Sequence, residues 1–323
     1  MVQYVGNLAW HQNDQRHVDN FSLDTPLQVR AAGGNVTTAD GTATGTPLPT
    51  GGQGQVASNS NSFRVYPGYS GITVQENSTN GTYSGFQTGL RVQNRWGLSG
   101  ELDYTWSHEI DIQTYDNSCC VGNPWYLKYD KGSGTLDRRN MLNANYMYRL
   151  PFFNHSTGVL HSLVGGWELA GTIIDESGVP VPTTLSGADT IGLGGGYQNR
   201  PNVSGKMKYI KQVNGAKNEW FDTSLFSRPV AAWNGGVNQG FGSAGKDAVV
   251  GPNRVNFTTS LYKSFSMTER AHFELRIESF NTFNHTQFNN LNAGGPSGDN
   301  GSFGQVTNTW DPRTLEMGGK FVF

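Results

Sequence analysis

Apolar and polar side chains alternate residue by residue along several stretches of this chain. That is the period of an extended strand whose two faces meet different surroundings. In 98–107, Leu98, Gly100, Leu102, Tyr104 and Trp106 share one face, and Ser99, Glu101, Asp103, Thr105 and Ser107 share the other. In 271–279, Ala271, Phe273, Leu275 and Ile277 oppose His272, Glu274, Arg276 and Glu278. Six further stretches alternate with lower contrast, near 1–10, 82–94, 137–150, 166–177, 253–265 and 313–323. Rows of charge on one face require water or paired partners, because an unpaired buried charge costs several kcal/mol. The pattern therefore predicts eight strands, each wet on one side.

The connections add a second regularity. In order they are long (11–81), short (95–97), long (110–136), modest (151–165), long (178–252), short (266–270) and long (285–312). Long loops thus fall at one rim and short turns at the other, the habit of an antiparallel up-and-down transmembrane β-barrel with short periplasmic turns and long extracellular loops. Parity places Phe323 on the periplasmic side. Trp96, Phe152, Trp167, Phe265, Phe321 and Phe323 then fall near the periplasmic interface, and Tyr83, Phe86, Tyr104, Trp106 and Phe283 near the outer one. Two aromatic girdles around an apolar band are expected of such a wall. The loops, Gly33–Asn61 and Gly187–Asn202 for example, are rich in Gly, Asn, Ser and Thr and read as too polar to bury.

Composition agrees. Only 35% of the 323 residues are hydrophobic, yet 12% are aromatic and 43 are Gly, which suits sheets with one polar face joined by polar loops. A net charge of −2 offers no basic surface for nucleic acid. There is no run of 18 apolar residues for a transmembrane helix, but barrel strands cross with about 9–11 alternating residues. Met1 leads directly into strand-like sequence with no export signal, so the chain is expected to be a piece of something longer.

Little in the sequence points to catalysis or to a bound group. Cys119 and Cys120 are adjacent, without zinc or CxxC spacing, and their pairing is left open. Gly192–Gly196 resembles a phosphate loop but lacks the following Lys-Ser/Thr, and there is neither a G-x-S-x-G nor an H-E-x-x-H motif. The expectation is a protein that is not an enzyme and has no cofactor or metal. Glu101, Asp103, Glu274, Arg276 and Glu278 are the candidates to face the lumen. Trp96, Tyr104, Trp106, Trp167, Phe321 and Phe323 are candidate membrane-interface aromatics. Phe323 closes an amphipathic last strand, with Phe321 and Met317 in phase, and is the candidate signal for the barrel-assembly machinery.

Several short motifs, in this order, resemble the barrel of TonB-dependent receptors of the Oar-like type. They are Val5-Gly6-Asn7, Tyr66-Pro67-Gly68-Tyr69, Leu102-Asp103-Tyr104-Thr105-Trp106-Ser107-His108, Asn123-Pro124-Trp125-Tyr126-Leu127, Asp137-Arg138-Arg139, Arg200-Pro201-Asn202 and Glu219-Trp220-Phe221. Thr268-Glu269-Arg270, Phe280-Asn281-Thr282-Phe283-Asn284-His285 and Asp311-Pro312-Arg313 follow. The resemblance implies a barrel of about 22 strands around an N-terminal plug, energised through TonB. Residues 1–323 would be its C-terminal portion, without plug or earlier strands. The implied role is the wall of an outer-membrane receptor for a bulky nutrient. Its partners would be outer-membrane lipid, the barrel-assembly machinery, the TonB system through the missing N-terminal region, and an unknown nutrient ligand. Alternatives are a self-contained eight-stranded barrel acting as adhesin or structural protein, a secreted soluble β-sandwich that binds carbohydrate, and an outer-membrane hydrolase.

Overall fold

A computed structural model describes residues 1–17, 66, 69, 72–112, 122, 123, 125–152, 158–185, 199–213, 218–230, 237–295 and 301–323. Cys119, Cys120, Gly192–Gly196 and the polar stretches 33–61 and 187–198 lie outside the described residues. The eight long strands are β1 (Val2–His17), β2 (Thr73–Arg95), β3 (Leu98–Asp111), β4 (Asn140–Arg149), β5 (Glu168–Glu176), β6 (Arg254–Ser266), β7 (His272–Phe280) and β8 (Thr314–Val322). Each pairs antiparallel with its sequence neighbour in one sheet of order β1 to β8, and the two-residue strand Gly132–Ser133 adds to β3. This is the meander that the alternation predicts. It is a single layer, unlike a two-sheet sandwich. Among the described residues no ladder joins β1 to β8, so barrel closure is not seen.

Register decides the faces, because directly opposed residues point the same way. Leu90, Leu102 and Ala144 lie side by side, as do Phe86 with Trp106, and Phe265 with Phe273 and Phe321. Apart from Asp175 and Lys263, the apolar phase carries across β1 to β8 without a formal charge, and its large side chains, including Tyr4, Leu90, Leu102, Met317 and Phe321, are exposed. An apolar face left uncovered by protein needs lipid. Tyr146 lies opposite Gly171, and a Cβ added there would collide with the Thr258 carbonyl oxygen and stand 2.7 Å from the Tyr146 hydroxyl. Only a glycine lets the ring lie flat against the sheet.

Two features depart from the expectation of strand lengths near ten residues. β1 and β2 continue past the apolar band as a polar hairpin to His17 and Thr73. Alternating hydrophobicity could not reveal it, because hydrogen bonds hold it together. Asp14, fully buried, accepts from the Ser78 N–H (3.2 Å) and hydroxyl (3.0 Å), and the Thr79 hydroxyl donates to the Gln12 carbonyl (3.1 Å). Register shifts near Gln12 give this extension bulges.

The second departure is a correction. The long connections were expected to be too polar to bury, yet every buried hydrophobic side chain among the described residues belongs to them. Trp220, Phe221, Phe226, Ala244, Val249, Leu291, Phe303 and Val306 form a core between 178–252 and 285–312. Phe221 meets Phe226 and Phe303 edge-on, at 5.3 Å in each case. Four small ladders frame it: Pro180–Val181 with Val249–Val250, Asn202–Val203 with Phe226–Ser227, Tyr209–Val213 with Asn218–Phe221, and Phe288–Leu291 with Val306–Thr309. These loops are a folded cap on one rim. At the other rim, β2 and β3 meet in a two-residue turn with positive φ at Trp96 (53°) and Gly97 (79°), the hairpin geometry that favours Gly at its second position. The Arg95 guanidinium lies 4.4 Å from the centre of the Trp96 ring.

Candidate functional site: a polar groove beneath the loop cap

The polar phase of the sheet carries the charges. Glu274 is paired across β7 with Ser264 and Lys320, Arg276 with Tyr262 and Gly318, and Glu278 with Ser260 and Glu316. Glu274, Arg276 and Glu278 line a concavity of about 350 Å³ together with Tyr262, Glu316 and Lys320. The Ser260 hydroxyl donates to Glu278 (3.1 Å), and His272 contacts Glu274 (3.2 Å). Glu278 and Glu316 face each other directly, an arrangement of like charges that costs stability unless cations stand near. Arg276 and Lys320, on the same concavity, supply them.

Glu101 and Asp103 share this polar phase but do not join the group. They belong to β3, opposite Arg91 and Asn145, and Gly89 and Asn143, and β4, β5 and β6 lie between them and β7.

Toward the cap, Glu316 also borders a second concavity of about 400 Å³, shared with Arg254, Asn256, Gln287 and Trp310. Arg254 and Trp310 in turn border a third, of about 290 Å³, with Glu176 and Asn289. Shared walls make the three one groove, running along the polar face of β6 to β8 and up under the cap. Glu316 and Lys320 alternate with Met317 and Phe321 along the last strand, which puts them on its polar face. Gln287, Asn289 and Trp310 come from a connection that gave no periodic signal.

The cap is tied down beside this groove. Arg200, buried, pairs with buried Asp130 (3.2 Å), stacks over the Tyr129 ring (3.8 Å), and donates to the Tyr129 carbonyl. Phe241 packs edge-on against Tyr129 at 5.4 Å. Burial pushes the Asp130 carboxyl above its ordinary range, with Arg200 and the N–H groups of Asn123 and Gly122 pulling it back in part. Lys246 pairs with Asp111, and Asp247 accepts from the N–H (3.0 Å) and hydroxyl (2.8 Å) of Ser133. Burial alone would raise the Asp247 carboxyl, but these hydrogen bonds outweigh it and hold the group below its usual value. The connection 112–139 is thereby fastened to 177–253.

The aromatic candidates fall at strand ends. Trp96, Phe152, Trp167, Phe265, Phe321 and Phe323 gather at the turn rim, where Trp167 and Phe265 meet edge-on at 6.4 Å. Tyr104 and Trp106 lie toward the cap rim, and the Tyr104 hydroxyl donates to Asn140 (2.7 Å). Phe283 packs edge-on against Phe257 at 4.9 Å. Tyr83 is opposed to Asn7 and Glu109, so it belongs to the polar phase and not to a girdle. Lys263 is an exception the alternation did not reveal. It sits in the apolar phase, buried, with its ammonium 5.4 Å from the Trp167 ring centre and 4.9 Å from that of Phe265, and it donates to the Gly165 carbonyl. A long stem bends its charge to the rim, as snorkelling lysines do.

A one-layer antiparallel meander, apolar on one face and grooved and polar on the other, with long and short connections segregated to opposite rims, defines an outer-membrane β-barrel protein. The family model described as "Outer membrane beta barrel domain" matches residues 1–316, and the chain belongs to that family. Its place is the outer membrane. Comparison with curated proteins and with solved structures gives no match.

Proposed function

We propose that this chain is the C-terminal wall and loop cap of a TonB-dependent receptor of the Oar-like type, which takes up a bulky nutrient. The observation that carries the reading is the groove. A charged track descends the polar face from beneath a folded cap, through Arg254 and Glu316 to Glu274, Arg276 and Glu278. A receptor that captures at its loops and passes cargo inward needs this continuity. Among the described residues the outer edges of β1 and β8 have no ladder partner, which supports a larger wall, since an exposed strand edge in lipid would leave backbone N–H and C=O groups without partners. The ordered motifs of the resemblance support the TonB assignment. In this reading the apolar face meets lipid, the lumen-facing charges contact plug or cargo, Phe323 marks the last strand for the assembly machinery, and no residue acts as a catalyst.

The test is a pull-down with the purified periplasmic domain of TonB from the same organism, using the full-length protein in detergent. Saturable binding is expected. A protein that binds no TonB, or a chain that refolds alone into a closed, heat-modifiable eight-stranded barrel, would replace this reading with an adhesin or structural barrel.

A further inference from the structure

The upper part of the groove has a chemistry of its own. Its floor is the polar face of the sheet (Arg254, Asn256, Glu316), and its wall is the last cap connection (Gln287, Asn289, Trp310). Gln287 is only 4% exposed, and its amide donates to the Asn256 side-chain oxygen at 3.2 Å. Its own side-chain oxygen has no protein partner, nor do the Asn289 side-chain oxygen and the Arg254 Nε. Two amide acceptors and one guanidinium donor are thus fixed along two adjoining concavities, Gln287 on the larger, Asn289 on the smaller, and Arg254 on both. A buried polar group without a partner is rare and costly in a native fold, so each marks a place where something else bonds. Trp310 adds an apolar plate. The Arg254 guanidinium lies 4.3 Å from its ring centre, yet the indole remains 44% exposed.

We infer that this cleft binds a neutral saccharide, whose hydroxyls donate to Gln287 and Asn289 and accept from Arg254 while its C–H face lies on Trp310. The inference rests on the receptor reading and deepens it by naming the substrate class. Charge selects against the alternatives. An anion would meet Glu176, Asp311 and Glu316, and a cation would meet Arg138 and Arg254. Hydroxyls both donate and accept, so they satisfy all three unpartnered groups at once. Adjacent concavities of about 400 and 290 Å³ fall within, or just below, the usual range for small-ligand pockets of roughly 300–1,000 Å³.

The experiment uses the full-length protein in detergent micelles. Neutral oligosaccharides of three to six units (malto-, cello-, xylo- and manno-series) are titrated by tryptophan fluorescence and calorimetry, with Gly/Ala peptides of matching length alongside. At least one oligosaccharide is expected to bind saturably. Trp310→Ala and the near-isosteric Gln287→Met should each raise its Kd about tenfold or more, while Trp106→Ala on the opposite face leaves it unchanged. Heat-modifiable gel mobility establishes that each variant is folded. The proposal is overturned if no oligosaccharide in the panel binds, if the two cleft variants bind as the wild type does, or if the peptides bind in preference. Because binding needs no TonB, a negative here leaves the TonB pull-down as an independent result.

Discussion

Replacing Phe221 by Ala is expected to open the loop cap while leaving the sheet intact. Phe221 is fully buried at the centre of the cap, with Phe226 and Phe303 edge-on at 5.3 Å each, at interplanar angles of 61° and 83°. Those three rings also pack on one another, Phe226 to Phe303 at 5.5 Å, so no neighbour can move in to fill the space. Truncating such a ring costs about 3–5 kcal/mol. If the cap opens as a local unit, its open population should rise between roughly 100-fold and 4,000-fold. Trypsin cleavage after Lys246 reports that opening, because its side chain is mostly buried and paired with Asp111. Cleavage at Lys246 in outer-membrane vesicles, followed by mass spectrometry, should accelerate in Phe221→Ala while the barrel band stays heat-modifiable. A wild-type cleavage rate would refute the claim that the aromatic cluster holds the cap. Loss of the barrel band would refute its independence from the sheet.

Other perturbations test other parts of the structure. Gly171→Val forces atoms against the Thr258 carbonyl and Tyr146 ring, and should cost about 1–3 kcal/mol in urea unfolding from lipid vesicles. An unchanged midpoint would show that the strands can move apart. Lys263→Met removes the donor from the Gly165 carbonyl and should cost about 1–3 kcal/mol in the same assay, and an unchanged midpoint would show that this bond does not hold the rim. Arg276→Glu places a third acid between Glu274 and Glu278, and should lower stability by about 0.2–1 kcal/mol per like-charge pair, recovering with added salt. A salt-independent loss would point to packing instead. Because the folded-state pKa of Asp247 lies below its ordinary 3.8, its tie to Ser133 contributes above that value and is lost as pH falls through the folded-state pKa. Opening of the cap below about pH 4, read by pepsin cleavage, should therefore be blunted in Asp247→Asn, and equal acid sensitivity in both proteins would exclude this carboxylate as a source.

What the sequence disclosed follows from which forces leave a period. Strands that divide lipid from water must alternate, so Leu98–Trp106 and Ala271–Ile277 announce themselves, and the spacing of the gaps between strands orders the rims. The hairpin beyond Ala9 is held by Asp14, Ser78, Gln12 and Thr79, whose bonds have no hydrophobic rhythm, so it read as loop. The cap core was hidden for a different reason. Phe221 and Phe303 are 82 positions apart in polar surroundings, and neither segment is amphipathic alone. The adjacent aromatics of Trp220-Phe221 were the one local hint. Glu274, Arg276 and Glu278 were legible as one row because they share a strand, whereas Gln287 and Trp310 reach the groove only through the folding of the connection that carries them. Lys263 broke the phase of a strand whose contrast was low, and only the rim geometry explains it.

The account stands on the two faces of β3, β6 and β7 meeting different solvents. With Cys119 and Cys120 replaced by Ser, single cysteines at Leu102, Leu261 and Leu275 on one face, and at Glu101, Ser260 and Glu274 on the other, can carry spin labels in the full-length protein reconstituted in lipid. Collision with oxygen, which concentrates in the bilayer, should dominate at the first three sites, and collision with a water-soluble nickel chelate at the last three. Equal nickel accessibility at both sets, or oxygen dominance at Glu101, Ser260 and Glu274, would contradict the membrane wall described for this sheet.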